Sequence, residues 1–185
     1  MQAWPRTLLL RAGDYANQAT CRRPNRRLLR SLSMMQEIAV RQAVLSDLPV
    51  LAPLFDGYRQ FYGRPTDVAA AESFLRERFD HGESVIFLAH AAGAPAGFTQ
   101  LYPSFSSVSL ARTFILNDLF VVPDRRRAGV GSALLGAAVD YARSLGAVRV
   151  TLNTDIGNAT AQATYEARGW KRDHEYYVYH FTPLS

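Results

Sequence analysis

A chain of 185 residues with a 48% hydrophobic share has the size and apolar content of one domain with its own core. Its apolar runs fall short of the roughly 18 residues that a membrane-spanning helix requires, so no membrane partner is expected. The net charge of +5 is unevenly placed: residues 1–33 carry seven arginines and one acid, Asp14, while residues 34–185 carry 14 basic and 15 acidic residues. A nucleic-acid-binding domain keeps its positive charge on the folded face, and this balance argues against a nucleic-acid partner.

Residues 1–33 show no helical or strand period. They read as an arginine-rich extension, disordered or dispensable, ahead of a domain at 34–185. Their composition also suits an organelle transit peptide, and Met34 and Met35 leave a later start open. Leu8 to Leu10 is too short for the apolar core of a secretion signal. The single cysteine, Cys21, lies in this tail, which rules out a disulfide framework or a cysteine nucleophile in the domain and fits a cytoplasmic address. His81, His90, His174 and His180 stand at no metal-ligand spacing, and no metal is expected.

In chain order, Glu37 to Ala43 predicts a short strand. Ser46-Asp47-Leu48-Pro49 starts a helix, with Ser46 as cap and a proline in the first turn. Leu48, Leu51, Phe55, Tyr58 and Tyr62 share one face, and Gly63 stops it. Thr66 or Asp67 caps a second helix running to about Phe79. Ser84 to His90 is a buried strand, and Ala96 to Tyr102 returns as its hairpin partner. Pro103 to Leu110 reads as a serine-rich loop, followed by a strand from Ile115 to Val122. Val148 to Leu152 is the next strand, reached through a crossover helix and therefore parallel. Asn158 caps a helix to Arg168, and His174 to Phe181 alternates as a last strand.

The informative stretch is Leu119 to Leu135. Its strand ends at Pro123-Asp124, a basic glycine-containing turn follows, and Val130, Leu134, Ala138, Tyr141 and Leu145 then form one helical face. The first N–H groups of a helix lack partners, and its dipole favours negative charge there, so the turn is an anion site in outline. The dinucleotide fingerprint fails because Leu134 stands where its third glycine is needed. The nucleoside-triphosphate loop fails because no lysine follows Gly131.

Arg126-x-x-Gly129-x-Gly131 does match a known signature, and so does Asn158-x-x-Ala161-x-x-x-Tyr165-x-x-x-Gly169-Trp170 further on. The two motifs, in this order, resemble those of the GNAT superfamily of N-acetyltransferases. The resemblance covers roughly Ile38 to the C-terminus. It implies an α/β fold with a mixed, twisted, mainly antiparallel sheet, a splayed parallel central pair and helices on both faces. It also implies acetyl-CoA as co-substrate, its pyrophosphate held by Arg126, Arg127, Ala128, Gly129, Val130, Gly131 and Ser132. Its pantetheine arm would lie along Leu119, Phe120 and Val121, with Asn158 as a further contact beyond its capping role.

Acetyl transfer to an amine requires the thioester to be held, its carbonyl polarised, the ammonium deprotonated and the leaving thiolate protonated. Tyr165 is the candidate general acid. For the base, the strand Asn117-Asp118-Leu119-Phe120-Val121 resembles that of the diamine acetyltransferases, where a glutamate and an aspartate fill the first two places. Asn117 takes no proton, which leaves Asp118 as base or amine anchor, with a water chain, Glu83 or an already neutral amine as alternatives. Adjacent strand residues face opposite sides, so Asp118 serves only if a bulge re-aims it. Tyr58, Tyr62, Tyr102 and Phe105, with Phe61, form an aromatic set for the acceptor. Acids near it are few, Asp56 and Asp67, which favours a smaller amine or an amino-acid-like acceptor over a highly charged polyamine. The leading expectation is N-acetyltransfer to a small primary amine in a ternary complex. A protein or peptide acetyltransferase and a non-catalytic acyl-CoA sensor are the alternatives, and a homodimer is compatible with the sequence.

Overall fold

The computed structural model describes residues 37–182. The extension at 1–33, its arginines and Cys21 lie outside the described residues. Five strands form one sheet in the order β1-β2-β3-β4-β5. They are β1 (Ile38–Gln42), β2 (Val85–Ala91), β3 (Ala94–Ser106), β4 (Ala111–Val121) and β5 (Arg149–Thr151). The first three pairings are antiparallel and β4–β5 is parallel. The helices are α1 (Leu48–Phe61), α2 (Val68–Asp80), α3 (Val130–Ser144) and α4 (Ala159–Glu166). None among the described residues is long and apolar enough to cross a membrane.

Both sheet faces are covered, which explains why β2 reads as a continuous apolar run. Ile86 and Leu88 face α1 and α2, where Leu48, Leu51, Phe55, Ala71, Leu75, Phe98 and Phe120 complete one core cluster. Phe87 and Ala89 face the other way, toward Val130, Leu134, Leu135 and Ala138 of α3. Leu134 is fully buried, so its truncation to alanine is expected to cost about 2–5 kcal/mol.

Local chemistry fixes the helix ends. Ser46 does not cap α1, because it sits inside a 3-10 turn, Leu45–Asp47, that leads into the helix. Asp47 takes over that corner. Its carboxylate accepts from Val44 N at 2.8 Å and from both Arg41 terminal nitrogens at 2.7 and 2.6 Å. The arginine hydrogen bonds are the main cause of its pKa falling to about 2. Asp67 caps α2 through Ala70 N, and Thr66 instead donates to the buried Asp56.

Two strand expectations are corrected. Pro103 to Ser106 is not loop but the continuation of β3, and β4 begins at Ala111, so the turn spans only residues 107–110. The β2 ladder ends at Val85 opposite Leu101. Pro103 therefore lies where β3 is a free edge on that side, a position that tolerates proline. The strand expected over His174–Phe181 is absent among the described residues, and Tyr176, Tyr177, Tyr179 and Phe181 are exposed. Alternation alone supplies no neighbouring edge, and the β5 ladder is only three residues long.

Candidate functional site

Two irregularities in β4 build the site. The first is a bulge. Gln100 pairs with Asp118 and Leu101 pairs with Leu116, so Asn117 is the extra residue. The bulge changes which face each side chain takes. Leu116 packs in the α3 cluster, whereas Phe120, in register with Phe98, packs under α1. Asp118 shares the face of Phe120, two residues away, and is 3% exposed. The side-chain hydroxyl of Thr99 donates to Asp118 O at 2.8 Å and pins the bulge from β3.

The second irregularity is a splay. β4 pairs with β5 only from Thr113 to Ile115, so the stretch from Leu116 to Val121 has no ladder on that side. Gly97 stands opposite Val121 so closely that a Cβ there would lie 2.3 Å from Phe120 O, which seats the strand end against β3. Phe120 is buried, while Leu119 and Val121 are half-buried at the edge of the α3 cluster.

At the end of β4 a short 3-10 turn, Pro123–Arg125, leads into the glycine turn. Arg127 has a φ of +61° and Gly129, the α3 N-cap, a φ of +90°. The left-handed value costs a non-glycine residue about 1–2 kcal/mol, so Arg127 carries local strain. No side chain caps α3. Ala133 N already bonds Gly129 O, which leaves the N–H groups of Val130, Gly131 and Ser132 as the open donors of the first turn. Arg126 does not reach over this turn. Its Nε donates to Val121 O at 3.0 Å, and its guanidinium lies 5.5 Å from the Phe61 ring centre, so it ties the turn to the strand end. Arg127 and Ala128 are exposed. An uncapped helix start beside an unpaired strand edge fits a phosphate-bearing arm lying along β4.

Around Asp118 the structure gathers a polar nest. Asn117 Nδ2 donates to Asp118 Oδ1 at 3.0 Å. Oδ2 is buried without a hydrogen-bond partner, and the Tyr58 phenol approaches the carboxylate without full hydrogen-bond geometry. Burial pushes the Asp118 pKa above the ordinary carboxylate range, an effect that Tyr58 and Asn117 partly offset. Tyr58 and Tyr102 are raised above the ordinary phenol value, first by burial and then by the Asp118 charge. Gln100, fully buried, donates through Nε2 to the Tyr102 hydroxyl, and its Oε1 has no partner. Gln100 escaped the sequence reading. The signal available was its period-two spacing between Phe98 and Tyr102, which places a polar side chain on a core face.

Tyr62 stacks edge-on against Tyr58, with ring centres 5.1 Å apart, and is 58% exposed. Phe105 is not part of this set. It lies three residues beyond Tyr102, on the opposite sheet face, is 71% exposed and carries the Arg112 guanidinium 5.2 Å from its ring centre. Asp56 is also spoken for, since Gln60, Thr66, Asp67 N and Arg59 all donate to it. An open cleft of about 570 Å³ adjoins Tyr102, lined also by Arg78, Glu83 and Pro103. Glu83 faces Arg78 Nε at 2.6 Å, so it is engaged in an ion pair there.

On the far side, Asn158 caps α4, its Oδ1 accepting from Ala161 N at 3.1 Å. Tyr165, on that helix, packs against Trp170 with ring centres 6.2 Å apart. Burial, followed by the neighbouring Tyr62, raises its phenol pKa, and Thr154 partly offsets this. No group of three or more His, Cys, Asp or Glu side chains converges among the described residues.

Residues 51–170 match the family model for the acetyltransferase (GNAT) family. The chain belongs to the GNAT family. It is 51% identical over 134 residues to the uncharacterized N-acetyltransferase YhfO of Bacillus subtilis (strain 168), covering 72% of this chain and 90% of that protein. It is 35% identical over 129 residues to a probable acetyltransferase of Haemophilus influenzae, covering 68% and 84% of the two. Among solved structures, a probable acetyltransferase aligns at a TM-score of 0.75 and 44% identity, over 80% of this chain and 98% of that one. A ribosomal-protein-alanine N-acetyltransferase of Brucella melitensis, at 22% identity and a TM-score of 0.64, shares the fold. This GNAT protein is therefore an acetyltransferase, of a family whose general co-substrate is acetyl-CoA.

Proposed function

We propose that this GNAT enzyme transfers the acetyl group of acetyl-CoA to the primary amine of a small molecule, by direct attack with both substrates bound. The observation that carries the reading is the buried Asp118 carboxylate, re-aimed by the bulge into a nest of phenols on one side of the splayed strand. The open N–H groups at Val130, Gly131 and Ser132, with the positive charge of Arg127, suit the pyrophosphate. The unpaired edge from Leu119 to Val121 suits the pantetheine arm, with Asn158 at the start of α4 as a further contact.

Proton traffic divides between two residues. Asp118 takes one proton from the ammonium, which frees the nitrogen lone pair. The lone pair forms the new bond to the thioester carbonyl carbon, and the C–S bond breaks with its electrons on sulfur. Tyr165 gives its proton to that sulfur and regains one from the nitrogen through water. The products are the amide, free coenzyme A thiol and a protonated Asp118 that returns its proton to solvent. The raised Tyr165 pKa keeps the phenol protonated at neutral pH, the form a general acid needs.

The openness of the cleft beside Tyr102 favours one other reading, a peptide amino terminus as acceptor. A panel of small amines and short peptides, assayed by free-thiol release, separates the two. Turnover confined to peptides overturns the small-molecule reading. Coenzyme A binding with no turnover of any amine would leave an acyl-CoA sensor.

A further inference from the structure

Two acceptor atoms in the nest are buried and have nothing to accept. Asp118 Oδ2 and Gln100 Oε1 both lack a hydrogen-bond partner, and the two residues are directly paired across β3 and β4. A buried acceptor left open costs about 1–3 kcal/mol, more for a charged one, so two side by side are hard to explain by packing alone. Replacing Gln100 by an apolar residue would remove one of these costs. A glutamine at this position therefore fits a ligand that brings donors to both atoms.

The other donors facing this point are neutral, and the two amides among them are already occupied. The Asn117 amide is spent on Oδ1, the Gln100 Nε2 is spent on Tyr102, and the Tyr58 phenol, which lies against the carboxylate, brings a single neutral O–H. Among the described residues, no ion pair to Asp118 from lysine, arginine or histidine is found. For the ionised carboxylate, the partner that fits is cationic and carries several N–H donors. A primary ammonium has three, enough for Oδ2, Oε1 and a phenol oxygen, and the phenol faces of Tyr58 and Tyr102 add attraction for a cation.

We infer that Gln100 and Asp118 form a two-acceptor clamp that selects the acceptor substrate as a protonated primary alkylamine, with Gln100 as the specificity residue. This rests on the proposed amine acetyltransfer. The clamp grips the nitrogen before reaction, and Asp118 alone then removes a proton, because an amide oxygen is not basic enough to do so. The cleft lined by Arg78, Glu83 and Pro103 opens beside Tyr102 and receives the remainder of the substrate.

The test compares two acceptors with the full-length enzyme: a primary alkylamine found active in the panel, and an aromatic amine that is neutral at pH 7. Gln100→Leu keeps similar bulk and removes the acceptor. It is expected to raise the alkylamine KM about tenfold or more, with kcat changed much less and acetyl-CoA affinity intact. The neutral amine should change little. Gln100→Glu keeps an acceptor and adds charge, so the alkylamine KM should stay near wild type or fall. A wild-type alkylamine KM in Gln100→Leu overturns the clamp, as does an equal loss for both amines. An increase in KM for Gln100→Glu matching that of Gln100→Leu also overturns it, since the amide would then serve as a donor to the carboxylate. Should no amine turn over in the wild type, the acetyltransfer reading itself falls, a result distinct from all three.

Discussion

Tyr165 and Asp118 are half-buried and buried polar groups whose surroundings push both toward their protonated forms, yet the proposed chemistry asks opposite things of them. Tyr165 is useful protonated. Tyr165→Phe removes only the hydroxyl and leaves the ring against Trp170. It is expected to keep the fold and acetyl-CoA affinity while kcat falls by roughly 10²-fold, and wild-type kcat at saturating substrate would reduce Tyr165 to packing. Asp118 is useful ionised. Its raised pKa places the acid limb of the rate profile above the ordinary carboxylate range, with activity rising as pH climbs through it. The Tyr58, Tyr102, Gln100 and Asn117 groups that face it are neutral through that window. Asp118→Asn should lower kcat by ~10²–10⁴-fold and abolish that limb. The linkage has a definite sign. A carboxyl with a raised folded pKa stabilises the fold below its unfolded pKa and loses that contribution as pH rises through the folded one. At neutral pH the ionised Asp118 is therefore a burden on stability, and Asp118→Asn should melt higher than wild type while being nearly inactive. A lower melting temperature at pH 7 would show that the carboxylate is held by more than the structure displays.

At the scale of elements, the sequence made the strand–turn–helix unit legible because each part carries its own local signal. Proline and aspartate stop β4, glycine takes the left-handed φ at 129, and apolar residues at helical spacing follow. What it could not show was register. The bulge at Asn117 depends on which β3 residues pair with Leu116 and Asp118, and nothing in the β4 sequence announces it. Gln100 stayed hidden for the same reason, since its role appears only when Asp118 is placed opposite. The expected last strand failed in the reverse sense, because alternation over His174–Phe181 names a face but no partner edge. The turn also allows a graded test. A Cβ at Gly131 would meet only Val121 Cγ2 at 3.7 Å, an ordinary contact. Gly131→Ala should therefore fold and melt as wild type, whereas Gly131→Leu should fold yet lose most coenzyme A affinity as its side chain enters the anion site. Calorimetry on a folded Gly131→Leu showing native affinity would move the pyrophosphate elsewhere.

For the whole molecule, the question is how much of the chain the enzyme needs. Among the described residues, both core clusters and their packed neighbours lie between Ile38 and Trp170. The family match spans 51–170, and the 134 residues shared with the Bacillus protein make up 90% of that protein's length. Everything assigned here to cofactor, acceptor and proton transfer falls within those limits. Residues 1–33 lie outside those limits, and without their seven arginines the chain is close to neutral. A chain truncated before Met34 is therefore expected to retain the melting temperature, the amine KM and kcat of the full protein. For a domain of this length, ~1 kcal/mol of lost stability lowers the melting temperature by about 2–4 °C, so a packed tail would be visible in a simple thermal scan. A drop of several degrees on truncation would show that the tail docks on the domain. A changed amine KM at unchanged melting temperature would instead place the tail at the mouth of the cleft beside Tyr102.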